Sequence, residues 1–160
     1  MKPEIIDDFL TVEEHEKIKD IMTSTSFEWY YSKEVNTYDD DNYFTHMFYD
    51  HHRFIKSQHF DLVTPILKKI NPDLLVRVKG NMYMKSVELK QHAPHVDYKF
   101  KHYGAIYSIN SCDGYTYIGE EKYQSKANRL LIFDPSVEHG SSTTTDEKHR
   151  ININFNLVKF

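Results

Sequence analysis

The final apolar run, from His149 to Val158, alternates without a break: Arg150, Asn152, Asn154 and Asn156 fall on one side, Ile151, Ile153, Phe155 and Leu157 on the other. A period of two marks a strand with two unlike faces. The isoleucine face belongs against a core. The asparagine face does not, because each buried amide needs several hydrogen-bond partners, and a wet pocket suits it better. Upstream, short apolar runs give further strands at Leu74 to Val87, Gly104 to Asn110, Tyr115 to Ile118 and Asn128 to Asp134. Turn chemistry separates them at Asn110-Ser111-Cys112-Asp113-Gly114, at Gly119 and at Asp134-Pro135. Short strands spaced in this way predict an antiparallel barrel or double-sheet jelly roll over 74–160.

In the first half the period changes. Thr11-Val12-Glu13-Glu14 is a capping box, in which the threonine oxygen and the glutamate satisfy each other's backbone N–H groups. A helix is expected from there to Met22, burying a stripe of Val12, His15, Ile18 and Met22; His15 reads as packing. A second stripe of Phe60, Val63, Leu67 and Ile70, with Ile66 beside it, predicts a helix that stops near Asn71-Pro72. Between the helices, Phe27 to Val35 and Tyr43 to Tyr49 read as an aromatic hairpin around the acidic stretch from Asn36 to Asn42. That stretch lacks the ligand spacing and glycine of an EF-hand and reads as a solvated loop. The expected fold is therefore α+β and mainly β, in one domain over 1–160: a jelly-roll barrel backed by two helices and a hairpin from 1–73.

Composition narrows the setting. At 28% charged and 39% hydrophobic residues, with a net charge of −4, the chain is an ordinary globule with no basic surface for a long nucleic-acid track. Its single cysteine, Cys112, excludes an internal disulfide, and the N-terminus lacks the apolar core of a signal peptide. No apolar run is long enough to span a membrane. A reducing cytoplasm is the expected location.

The candidate chemistry lies in three places. His95 and Asp97, two residues apart, lie on the same side of an extended chain and can point at one metal. A second histidine, His139, arrives from a later strand and completes a two-histidine, one-carboxylate face. Such a face leaves coordination positions open and suits non-haem Fe(II). Arg150 follows; its planar guanidinium can grip a carboxylate through two parallel hydrogen bonds, which points to an acidic co-substrate. The rival histidines fit less well: His92 has the wrong parity for Asp97, and His149 points away from the face of Arg150. His51 and His52, adjacent in sequence, point apart and read as surface residues. Cys112 lies in a turn with no demonstrable partner for nucleophilic work.

At these residues the chain resembles the Fe(II)/2-oxoglutarate-dependent dioxygenases, in particular the prolyl-hydroxylase-like branch and its compact bacterial and phage versions. The resemblance runs from about Val76 to Phe160. It is carried by Asn81-Met82-Tyr83, His95-Val96-Asp97, Ala105-Ile106-Tyr107-Ser108-Ile109-Asn110, Asn128 to Asp134, His139, and Arg150 to Phe155. It implies a double-stranded β-helix with His95, Asp97 and His139 as iron ligands and Arg150 on the distant carboxylate of 2-oxoglutarate. It also implies co-substrate contacts from Tyr83 and Ser108, with a water or Asn152 assisting because Ser108 replaces a longer tyrosine; Asn154, on the same face, is a further co-substrate candidate. The implied reaction uses dioxygen and hydroxylates a substrate, releasing succinate and carbon dioxide. Asp97, in place of the small residue of halogenase relatives, favours hydroxylation.

The aromatic and basic residues after the motif, from Tyr98 to Tyr103, together with Trp29, Tyr30 and Tyr31, predict a rim able to stack on an extended chain. A peptide, with proline as the candidate residue by resemblance, is the first expected substrate and a small metabolite the second. Nucleic acid is the third, disfavoured by the net charge. The competing reading is a catalytically silent jelly roll that binds metal or 2-oxoglutarate as a sensor.

Overall fold

The computed structural model describes residues 1–35 and 41–159. It is mainly β, with eleven strands: β1 (Glu4–Ile6), β2 (Tyr30–Ser32), β3 (Tyr43–Asp50), β4 (Ile55–Lys56), β5 (Leu74–Met84), β6 (Tyr103–Ser108), β7 (Tyr115–Ile118), β8 (Glu121–Gln124), β9 (Arg129–Phe133), β10 (His139–Ser141) and β11 (His149–Val158). Two α-helices, α1 (Val12–Met22) and α2 (Thr64–Ile70), lie in the first half. An eight-stranded sheet has the order β1-β9-β6-β11-β5-β3-β2, with β4 also paired to β3, and a three-stranded sheet has the order β10-β7-β8. This is the jelly roll that the alternation predicts. Among the described residues no helix is long and apolar enough to cross a membrane.

β11 lies between β5 and β6 in the large sheet and sets the register of both. Asn152 lies opposite Asn81 and Ser108, Arg150 opposite Tyr83, and Asn154 opposite Lys79 and Ile106. The isoleucine face goes where expected: Ile151, Ile153 and Phe155 are fully buried in one cluster with Ile18 and Met22 of α1 and Val63, Ile66 and Ile70 around α2. Burying each such side chain contributes roughly 1.5–3 kcal/mol, so this layer fixes which way β11 faces. Its polar face is thereby turned toward the small sheet. On that side Ile106, Leu131 and Phe133 of the large sheet close one end against Ile118.

The capping box forms: Glu14 N donates to Thr11 Oγ1 at 3.2 Å and Thr11 N to Glu14 Oε2 at 3.1 Å. Val12 is a correction, since it is exposed in the first turn while His15, Ile18 and Met22 are buried. The second stripe is split into a 3-10 turn, Phe60–Val63, and α2. Pro65 sits in the first turn of α2, where a missing N–H costs nothing and the helix restarts cleanly. Asn71, in the left-handed conformation at φ 51°, ends it.

The first 73 residues do more than buttress. They supply β1 to β4 of the large sheet, with β3 paired along β5 and β1 along β9. The hairpin of β2 and β3 is present, while the residues expected to form its acidic loop lie mostly outside the described ones; of that stretch Asp41 pairs with Lys90 at 3.1 Å. Trp29 is a second correction. Its Nε1 donates to the Met22 carbonyl and its ring packs on Phe27, beneath the sheet at Gly80 and not over the pocket. Tyr30 and Tyr31 are exposed on the edge strand.

Candidate active site

The three predicted ligands come together. His95 forms an isolated bridge with His139, each backbone N–H donating to the other's carbonyl at 2.9 and 3.0 Å. Asp97 follows in a bend anchored by its N–H to the Pro135 carbonyl at 3.3 Å. A regular strand is not needed: the short bridge alone puts both side chains on one side. His95 Nε2 lies 3.7 Å from Asp97 Oδ1 and His139 Nε2 lies 3.8 Å from Asp97 Oδ2. One ligand atom from each residue falls within 4.8 Å of the others, which is the only such group of three His, Cys, Asp or Glu side chains among the described residues.

Protonation suits a cation. The Val137 carbonyl accepts from His139 Nδ1 at 2.9 Å, which leaves the lone pair on Nε2; that atom is buried without a partner among the described residues. Burial, and then the neighbouring His139, lower the pKa of His95 to about 4. Burial opposes ionisation of Asp97, yet Arg77, His139, Asn156 and His95 together outweigh it and bring its pKa down to about 2. Neutral imidazole beside an ionised carboxylate is the donor set a divalent metal takes.

Arg77 and Asn156 hold the carboxylate. Arg77 Nη2 donates to Asp97 Oδ1 at 2.9 Å, and Asn156 Nδ2 to Oδ2 at 2.7 Å. Arg77 Nε donates in turn to Asn156 Oδ1 at 3.0 Å. Neither was expected in a ligand-supporting role. The signal lay in β5, where Arg77, Lys79, Asn81 and Tyr83 alternate with Val76, Val78, Gly80 and Met82 as the residues of β11 do.

At the other end lies Arg150, 1% exposed, with its guanidinium 5.4 Å over the Tyr83 ring. Its Nη2 donates to Thr116 Oγ1 at 2.8 Å and its Nη1 to the Ser142 carbonyl at 3.3 Å, while Nε has no partner among the described residues. No carboxylate pairs with it there. Burial pulls its pKa downward. A buried cation left unpaired costs several kcal/mol, roughly, and this geometry can accept an anion. Asn81 Oδ1 and Asn154 Oδ1, on the same face, are buried without partners among the described residues.

A cavity of about 230 Å³ joins the triad to this end, lined among others by Tyr83, Asn152, Asn154, Thr116 and Ile106. Ser108 is absent from that lining: it is buried in β6 opposite Asn152, and Ile106 and Thr116 supply the wall instead. Thr116 was missed because its strand is four residues long and otherwise aromatic or aliphatic. His92 donates to or accepts from Ser141 Oγ at 2.8 Å and packs on Tyr83; it is not in the triad. His51 and His52 are exposed, and Cys112 is buried in its turn.

No protein-family model matches the sequence, and no curated protein is similar to it in sequence. Solved structures are similar in fold. An oxidoreductase of the 2OG-Fe(II) oxygenase family from Burkholderia pseudomallei superposes with a TM-score of 0.73 at 8% identity, covering 99% of this chain and 85% of that one. The viral collagen prolyl hydroxylase of Paramecium Bursaria Chlorella virus-1, in complex with 2OG, gives 0.62 at 11% identity over 100% and 97% of the two chains. HygX from Streptomyces hygroscopicus, with nickel, 2-oxoglutarate and hygromycin B bound, gives 0.64 at 11% identity over 98% and 82%. The chain therefore has the fold of the 2OG-Fe(II) oxygenases, prolyl hydroxylases among them.

Proposed function

We propose that this protein, which has the fold of the 2OG-Fe(II) oxygenases, is an Fe(II)- and 2-oxoglutarate-dependent dioxygenase. In this reading it hydroxylates a peptide residue, with proline as a candidate, or a small metabolite, and releases succinate and carbon dioxide. A fold alone does not fix an activity. The observation that carries the reading is Arg150, buried without a carboxylate partner among the described residues, bonded to Thr116 and packed on Tyr83, both of which line the cavity that also holds the triad. The likeness to HygX, with nickel and 2-oxoglutarate bound, and to the viral prolyl hydroxylase, in complex with 2OG, supports the same pairing.

His95, Asp97 and His139 would hold the iron, with His139 Nε2 free to coordinate because Val137 fixes its tautomer. Arg150 and Thr116 would take the distant carboxylate of 2-oxoglutarate through charge-assisted hydrogen bonds. Tyr83 covers the guanidinium, and Asn152 and Asn154 line the space between. Ser108 has no contact in this arrangement; Thr116 takes the hydroxyl role expected of it. Bound iron and 2-oxoglutarate supply the activation of dioxygen. The chain's own part is to orient both, to keep Asp97 ionised through Arg77 and Asn156, and to exclude water with the Ile106, Leu131 and Phe133 wall.

Aerobic incubation with Fe(II) and 2-oxoglutarate tests the reading by succinate release. Release is expected from the wild type, stimulated by a substrate from peptide or metabolite pools, and lost in Asp97→Ala and Arg150→Met. A protein that binds both ligands yet releases no succinate with any pool would be the silent sensor instead.

A further inference from the structure

Two half-buried cations are left over once the charges of the proposed site are balanced. The two positive charges of the metal and the one on Arg150 are offset by Asp97 and the two carboxylates of 2-oxoglutarate. Among the described residues Arg77 and Lys79 then have no counter-charge of their own, since the acid Arg77 touches, Asp97, is already counted. They are successive residues on the pocket face of β5, and at roughly 3.3 Å per residue along a strand Lys79 stands about 13 Å from Tyr83, which packs on Arg150.

Both cations have donors to spare. Lys79 Nζ donates to Tyr43 Oη at 3.2 Å, and among the described residues it has no ion-pair partner; an ammonium has three N–H groups. Arg77 spends Nη2 on Asp97 and Nε on Asn156, and its guanidinium lies 5.3 Å over the Tyr98 ring. Lys79 and Arg77 border the triad cavity and a second one of about 460 Å³, whose wall also includes Tyr43, Tyr98, His52 and Arg53. The one carboxylate among the described residues of that second wall is spoken for. Asp50 Oδ1 accepts from the backbone N–H groups of His52 and Arg53 at 2.9 and 3.2 Å, and Oδ2 lies 3.6 Å from Arg53 Nε.

We infer that this second cavity is the substrate subsite and that it takes a substrate bearing a carboxylate or phosphate group, seated on Lys79 and Arg77 beside Tyr43. The word substrate rests on the dioxygenase reading; the anion site itself does not. A neutral ring such as an internal proline would leave both cations uncompensated in a partly desolvated wall, where an unmatched charge is costly. An acidic group would meet them as Arg150 would meet 2-oxoglutarate. Tyr43 and Tyr98 flank the position and keep it drier than bulk water, which strengthens each charge-assisted contact.

The test uses the full chain loaded with redox-silent Zn(II) and saturating 2-oxoglutarate, whose binding is measured first by calorimetry. Inorganic phosphate and acetate are then titrated in parallel and followed by amide chemical shifts. At least one anion should bind saturably and shift residues around Lys79, with the tighter of the two identifying the group. Lys79→Met should weaken it about tenfold or more, the size of a lost charge-assisted contact, measured with 2-oxoglutarate held saturating for each variant; Lys79→Arg should restore it. Lys79→Gln serves if the methionine variant does not fold. Absence of saturable binding by both anions, or equal affinity in the wild type and the neutral variants, would overturn the inference. Failure of 2-oxoglutarate to bind the wild type would instead overturn the dioxygenase reading, and the anion titration would still report on Lys79.

Discussion

Arg150 concentrates the residue-scale argument, because a fully buried guanidinium with two neutral partners is stable only if something acidic meets it. Replacing it with methionine should cost 2-oxoglutarate binding ~3 kcal/mol or more, about a hundredfold in dissociation constant. Metal affinity should be unchanged, since the triad does not touch it; calorimetry with each ligand in turn separates the two. Gly114 gives an indirect route to the same end. A Cβ there would lie 2.5 Å from the Thr143 carbonyl oxygen and 2.7 Å from Arg150 Cδ. Gly114→Ala should therefore destabilise the fold by ~1–3 kcal/mol and weaken 2-oxoglutarate binding by displacing the arginine, with metal affinity again unmoved. The grouping of His95, Asp97 and His139 was legible in sequence because two histidines and an aspartate at those intervals have few structural uses. Arg77 and Lys79 were not. Charged residues alternating with valines look like any solvated strand face until the small sheet is known to cover it.

Among the elements, α1 is held to the sheet by a buried polar chain. Asn128, at φ 60°, accepts from Leu10 N at 2.8 Å and from Tyr107 Oη at 2.9 Å and donates to the Leu10 carbonyl at 2.9 Å. Since the tyrosine hydroxyl gives its proton to Asn128, its oxygen accepts from His15 Nδ1 at 2.6 Å. His15 Nε2 then carries the lone pair, buried with no partner among the described residues. Burial lowers the pKa of His15 below its usual 6.5. In the window from 6.5 down to the folded value the unfolded chain binds more protons, so stability is full above pH 6.5 and is lost as pH falls below it. His46, also lowered by burial, acts in the same direction. Urea midpoints at pH 7 and pH 5 should show this drop, and His15→Leu should reduce it; an unaltered drop would remove His15 from the account. α1 itself was readable from its capping box and period, as was the stop of α2 at Asn71-Pro72. Its docking was not, because Asn128 and Tyr107 lie far off in sequence and only the sheet brings them under His15.

At the scale of the whole molecule, the jelly roll followed from alternation and turn chemistry, whereas strand order did not. β1, β8 and β10 are three or four residues long, too short for a period to register, and the hairpin joins the large sheet because β5 offers β3 an open edge. Fold neighbours at 8–12% identity show that this architecture can be built from very different side chains. The central claim is that His95, Asp97, His139 and Arg150 assemble one centre for Fe(II) and 2-oxoglutarate. Anaerobic addition of Fe(II) and then 2-oxoglutarate, followed by visible absorption, tests it most directly. The wild type should develop a charge-transfer band that saturates at one co-substrate per chain, absent in Asp97→Ala and, at the same 2-oxoglutarate concentration, in Arg150→Met. A wild type without the band, or an Asp97→Ala variant that keeps it, would contradict the account.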